Sequence, residues 1–312
     1  MIIMALDHCR DFFHTESING NNPLDFNTTT PGLFLTRWIT HFCAPVFVFL
    51  AGTSIFFVRQ KRPLKDVSVF LLTRGLWLIL LEVTVISWGW SGNMNFFFTG
   101  LFVIWALGFS MIFMAGLVHL NKKVLLIIAA LLVFGHNSLD GYDKLVTDDF
   151  NGFLWSVFHV PFSFTLDSSH FLFVGYPLMP WIGIMLFGFL FGNLYDESIY
   201  YEKRKKTLLF LGTACVLIFI LLRSGNFYGD SHFWSQQATG LFSALSFVDT
   251  TKYPPSLLYA LMTIGPAMLF LAFAEKWRGK ILNMISIYGR VPFFYYLLHI
   301  YLIHFIALII FF

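Results

Sequence analysis

Eight consecutive residues near the start of the chain, Asp7-His8-Cys9-Arg10-Asp11-Phe12-Phe13-His14, hold its densest group of reactive side chains. On a helix Asp7, Arg10, Asp11 and His14 fall at i, i+3, i+4 and i+7, which is one face. The spacing puts carboxylates within reach of imidazoles. A carboxylate orients such a ring and supports its charged form, as a general base requires. His8 and His14 are therefore candidate bases, Asp7 and Asp11 their orienting acids, and Arg10 a buried polar neighbour. The plainer alternative is the polar end of a helix laced by i,i+4 ion pairs.

His41 is a third candidate base, in Thr40-His41-Phe42-Cys43-Ala44-Pro45. Pro45, close to the start of an apolar run, frees backbone groups that a neighbour or a ligand can satisfy. Arg74 and Glu82 share another apolar run. At 1.5 Å per residue they are about 12 Å apart along a helix, too far to pair. A charge at mid-membrane costs roughly 2.5–3.5 kcal/mol, so each calls for a partner or a polar cavity. Arg74 lies near enough to one end to snorkel, or to hold the phosphates of a ligand. His299 falls near the middle of the final apolar run, which Arg290 opens.

The elements that must position these residues are helices in a membrane. Of 312 residues 57% are hydrophobic and 12% charged, half the charged share of a soluble domain. Continuous apolar runs predict an all-α, polytopic transmembrane bundle of about nine spans, forming one integral membrane domain over 1–312. The runs are Met1–Phe13, Trp38–Val58, Val67–Trp88, Phe96–Val118, Val124–Asn137, His170–Gly192, Thr207–Leu222, Pro254–Ala274 and Val291–Phe312. The first run is short of the roughly 17 residues a crossing needs, as if its beginning were missing. Apolar stretches such as Phe150–Phe162 are expected to lie on or re-enter the membrane.

Charge sets the orientation. With the N-terminus inside and the C-terminus outside, fourteen of the 20 Lys and Arg fall in four cytoplasmic loops and five in outer segments, Arg74 being within a span. Most acids and histidines then face outward. Cys9, Cys43 and Cys215 are too few and scattered for a disulfide framework or a four-ligand zinc site, so no metal is expected. No basic tract suggests nucleic acid. No phosphate loop, His-Glu-x-x-His or Gly-x-Ser-x-Gly is present, which removes ATPases, zinc proteases and common serine hydrolases. Three readings remain: an enzyme with its chemistry on the outer face, a transporter or flippase of a polar solute using Glu82, Arg74 and His299 as a route, or a non-catalytic membrane partner or assembly factor.

Four stretches together resemble bacterial membrane proteins related to the heparan-alpha-glucosaminide N-acetyltransferase catalytic domain. They are Met4–His14, Thr36–Gly52, Leu72–Trp77 and Gly289–His299. The resemblance implies a bacterial cytoplasmic-membrane acyltransferase. It would pass an acetyl or other acyl group from cytosolic acyl-CoA to an outer amine or hydroxyl, expected on a sugar. Arg74 and Arg290 would anchor the CoA phosphates, and His8 or His41 would act as base with Asp7 and Asp11. Direct transfer and an acetyl-histidine intermediate both stay open. The family's luminal histidine aligns near Thr30–Gly32, where this chain has none, so His8, His14 and His41 stand on their chemistry. The partners implied are the bilayer and a small-molecule or glycan acceptor, and self-association into a homo-oligomer is compatible.

Overall fold

A computed structural model describes residues 2–14, 23–92 and 95–311. Its helices are α1 (Ile2–Phe13), α2 (Pro31–Thr40), α3 (Cys43–Lys61), α4 (Leu64–Leu81), α5 (Ser87–Ser91), α6 (Val103–Leu117) and α7 (Lys122–Phe134). There follow α8 (Phe150–Phe158), α9 (Leu178–Phe191), α10 (Tyr201–Ser224), α11 (Gly240–Val248), α12 (Leu257–Ala274), α13 (Lys280–Arg290) and α14 (Pro292–Phe311). Among the described residues seven helical stretches are long and apolar enough to cross a membrane: Pro31–Lys61, Leu64–Ser91, Lys122–Lys144, Leu178–Tyr195, Tyr201–Ser224, Leu257–Ala274 and Pro292–Phe311. The protein is an integral membrane helix bundle. Of the nine runs expected as spans, the first yields only the 12 residues of α1 and the fourth the 15 residues of α6.

The fourth and sixth runs each open as a strand, which shortens the helix that follows. β1 (Phe98–Leu101) pairs in parallel with β3 (Phe171–Val174), which pairs antiparallel with β2 (Phe162–Thr165). Four-residue aromatic and β-branched stretches bounded by turns suit strands better than helix starts. The expected surface stretch Phe150–Phe162 becomes α8, capped by Asp149 accepting from Gly152 N at 2.7 Å, and then enters β2.

Helices meet closely where glycine replaces a side chain. A Cβ on Gly52 would fall 2.0 Å from Met185 O, and one on Gly188 1.9 Å from Phe49 O, so α3 and α9 touch backbone to backbone. Thr53 Oγ1 uses that proximity to donate to Gly188 O at 3.0 Å. Helices in lipid gain from such approach through dispersion, because burial from water is no longer available. Gly188→Ala should therefore destabilise the protein by about 1–3 kcal/mol, read as a lowered thermal midpoint in a fixed detergent.

Two irregularities shape the bundle around the site. The first span breaks at His41-Phe42, between α2 and α3. Pro45 has no N–H to give His41 O, and the Tyr259 hydroxyl donates to that carbonyl instead at 2.7 Å. The second irregularity is a π-turn, Glu82–Ile86, joining α4 to α5. A π-turn disturbs the i→i−4 ladder and leaves carbonyls to be satisfied from outside. α14 supplies the donors: Tyr301 Oη to Val85 O at 2.6 Å and His304 Nδ1 to Gly89 O at 2.7 Å. Gly92, at φ 63°, ends α5 with a left-handed turn, and any Cβ there would lie 2.7 Å from the His304 ring. This docking sets the register of α14, and with it the height of His299.

Candidate functional site

One end of the bundle holds a cavity of about 230 Å³. Trp90 at the end of α5, Val103 at the start of α6, and Tyr176 and Tyr253 just ahead of α9 and α12 bring four elements to it. The small sheet does part of the positioning. Phe102 follows β1 and Tyr176 follows β3, and the N–H groups of Gly175 and Tyr176 both reach Leu101 O at 3.1 Å. α1 closes the cavity with Met4, Asp7, His8 and Asp11.

His8 is held by a chain of hydrogen bonds that defines its protonation. His299 Nδ1 lies 2.6 Å from Tyr295 O, and a carbonyl can only accept, so this nitrogen carries a hydrogen. In neutral His299 the Nε2 is then an acceptor. It lies 2.7 Å from His8 Nδ1, with the two rings within 4° of parallel. His8 Nδ1 must donate, so its Nε2 keeps the free lone pair. This tautomer follows from the hydrogen-bond network. Trp90 packs edge-on against the His8 ring at 4.8 Å between centroids.

Beside His8, Asp7 gathers three cations. Arg37 Nη1 donates to both carboxylate oxygens at 2.6 Å, Arg10 Nη2 approaches Oδ1 at 2.6 Å, and Lys252 Nζ stands 3.6 Å from Oδ2. Arg10 also donates to Asp11 Oδ1 at 2.9 Å. Asp7 therefore gathers charge and makes no hydrogen bond to a histidine among the described residues; the His8 imidazole is held by another imidazole, and the acid by arginines.

The cations leave a mark on the adjacent phenol. Burial alone would push the Tyr253 hydroxyl up, but Lys252 and Arg37 outweigh it and hold it below the ordinary tyrosine range. Burial drives its neighbour Tyr176 well above that range, followed by the effect of Tyr253 itself. The two hydroxyls lie 3.3 Å apart.

The other candidates lie elsewhere. His41 is buried in the α2–α3 turn outside the cavity lining, and neither of its ring nitrogens has a partner among the described residues. His14 ends one turn beyond Arg10 and does not line the cavity. Glu82 is fully buried, and its Oε1 accepts from Phe102 N at 2.8 Å. It therefore caps the start of α6, where a carboxylate meets the positive end of the helix dipole. Arg74 is exposed on α4 and stacks over Phe70 at 5.8 Å, and Arg290 is exposed at the end of α13. Neither lines the cavity. Glu82, Arg74 and His299, the three residues of the transport reading, share no lining.

Arg37, Lys252, Tyr253 and Tyr296 line the site and were not expected there. A signal for two of them was present. Basic residues are rare in the segments expected to face outward, and Arg10, Arg37, Arg223 and Lys252, four of the five, sit in the site or brace it.

A separate cluster, Asp140, Asp143 and His159, brings possible metal-ligand atoms within 4.8 Å of one another. His159 is already engaged on both sides, Nδ1 with Asp143 at 2.8 Å and Nε2 with His136 O at 2.9 Å. Both nitrogens face acceptors, so the geometry favours the protonated, doubly donating ring. Burial opposes that charge, but the Asp143 hydrogen bond and the neighbouring carbonyl and carboxylates raise the His159 pKa overall. A raised folded-state pKa gives stability that is complete below the unfolded value, about 6.5, and is lost as pH climbs through the folded value. The thermal midpoint should fall between pH 6 and pH 8.5, and His159→Gln should remove that component of the slope.

The family model described as heparan-alpha-glucosaminide N-acetyltransferase, catalytic, matches residues 22–224, well over half of the chain. The match covers Arg37, Cys43, Trp90 and Tyr176 and excludes His8, Lys252 and His299. No curated protein and no solved structure matches the chain.

Proposed function

The chain belongs to the heparan-alpha-glucosaminide N-acetyltransferase catalytic family, and from that premise we propose that it acetylates an outer acceptor at the His8 cavity, using cytosolic acyl-CoA. The family makes it a membrane acetyltransferase. The observation that carries the finer reading is the free Nε2 of His8, fixed by His299 on a cavity wall.

In this reading an amine or hydroxyl of the acceptor, most simply of an amino sugar, attacks the thioester carbonyl carbon. The new N–C or O–C bond forms as His8 Nε2 takes the acceptor's proton. The C–S bond then breaks, and the proton passes from His8 to the departing CoA thiolate. In the alternative route His8 Nε2 attacks the thioester carbon, the C–S bond breaks and CoA leaves as the thiolate; the acceptor then attacks the acetyl-imidazolium, its bond to Nε2 breaks, and the acceptor's proton goes to the thiolate. Aromatic walls from Trp90, Phe102, Tyr176 and Tyr296 suit a sugar ring. A volume of about 230 Å³ is below the roughly 300–1,000 Å³ of a site for a drug-sized ligand, so only the thioester end of the acyl-CoA would enter it while the nucleotide stays outside. Arg74 and Arg290 are retained as its phosphate contacts, and the inside-positive charge bias supports an outward-facing cavity.

The test is acceptor-dependent release of CoA thiol from acetyl-CoA by the purified protein, with glucosamine as the first acceptor. Release at equal rate with and without any amino sugar, or no binding of acetyl-CoA to the folded protein, would sink the proposal.

A further inference from the structure

The cavity holds more positive charge than its own acids neutralise. Arg10, Arg37 and Lys252 face two carboxylates, Asp7 and Asp11. The arginines saturate Asp7, and Arg10 also serves Asp11. Lys252 is left over. Its side chain is only 9% exposed, its Nζ makes a long 3.6 Å ion pair with Asp7 and lies 5.1 Å from the centre of the Tyr253 ring, and it has no hydrogen-bond acceptor among the described residues. An ammonium so enclosed is costly unless acceptors surround it.

The backbone around Lys252 is fixed on both sides. Asp230 accepts from Thr251 N at 2.9 Å, Thr251 Oγ1 at 2.7 Å and Ser256 Oγ at 2.7 Å. Arg223, almost fully buried, donates to the carbonyls of His232, Ser246, Phe247 and Asp249. The segment is thereby held against the cavity. Two further features share the lining. Cys43 and Ala44 form the first turn of α3, whose N-cap Phe42 offers no side-chain acceptor. The lowered Tyr253 phenol reports the same positive field.

We propose that this part of the cavity is an anion subsite, taking one carboxylate-class group against Lys252 Nζ and the first turn of α3. Two sources carry that chemistry: a small free acid, and a carboxyl substituent on the acceptor. The second source rests on the acyl-transfer reading and the first does not.

The experiment is calorimetric titration of the purified full chain at low salt, with no acyl donor present. Acetate should bind saturably and its neutral isostere acetamide should not, a comparison that needs no variant. Lys252→Gln should weaken acetate binding about tenfold, the loss of one charge-assisted contact, and Lys252→Arg should largely restore it. A second arm compares glucosamine with 2-amino-2-deoxyglucuronic acid. Tighter binding of the acid that disappears in Lys252→Gln assigns the subsite to the acceptor. Equal binding of the two sugars, with acetate retained, assigns it to a free acid. Failure of acetate to bind, or equal binding of acetate and acetamide, overturns the proposal. Because no transfer is measured, such a failure leaves the acyltransferase reading untouched, and loss of transfer activity leaves the binding result standing.

Discussion

Replacing His8 by alanine should lower kcat for acyl transfer by about 10²–10⁴-fold, the range for removing a positioned general base. The KM for the acceptor should move little, since the aromatic walls remain. His299→Phe should show a smaller loss, about tenfold to a hundredfold. His8 is still present there, but its Nδ1 no longer has the acceptor that fixes the tautomer. The order of the two losses is the informative part. A triad-like arrangement predicts that the double variant is no worse than His8→Ala alone, because the pair acts as a unit. Initial rates of CoA thiol release measure all three proteins. Wild-type kcat in the His8 variant would remove this histidine from the chemistry.

Asp7→Asn carries the largest expected effect on stability, about 3–5 kcal/mol, the cost of removing one partner from a buried ion pair. Asparagine keeps the volume but offers one acceptor oxygen where two are used. Its amide N–H groups would also face guanidinium donors. Arg37, Arg10 and Lys252 would be left around a neutral side chain that is 9% exposed in the native protein. Adding Arg37→Gln should restore part of the loss, since it removes one unpaired cation, so the two changes should be clearly non-additive. Thermal unfolding followed by intrinsic fluorescence would measure the cycle. An unshifted midpoint in Asp7→Asn would mean that the cluster contributes nothing to the fold.

How much of this site could be read in advance varied with the range of the interaction. The grouping of Asp7, His8, Arg10 and Asp11 was legible because helical spacing is local. Its meaning was not, because Arg37 and Lys252 reach Asp7 from other elements. His299 stood out as a mid-membrane histidine, but its pairing with His8 depends on the height at which α14 docks. That height is set by carbonyls near a π-turn, for which Glu82-Val83-Thr84-Val85-Ile86 carries no recognised sequence mark. Glu82 was expected to need a partner or a polar cavity, and in the structure it accepts from Phe102 N at the start of α6. The helical runs were plain from hydropathy, whereas β1 and β3 were hidden inside two of them, since four-residue aromatic strands look like helix ends. Lys252-Tyr253-Pro254 looked like an ordinary helix opening. Its exception to the inside-positive bias was the stronger clue.

The His8–His299 contact joins residues 291 positions apart in the chain. Because α1 is synthesised well before α14, His8 has no imidazole companion while the helices between them are being made and inserted. A nascent chain stalled before α14 would carry all of the family-matched region without the His8–His299 pair.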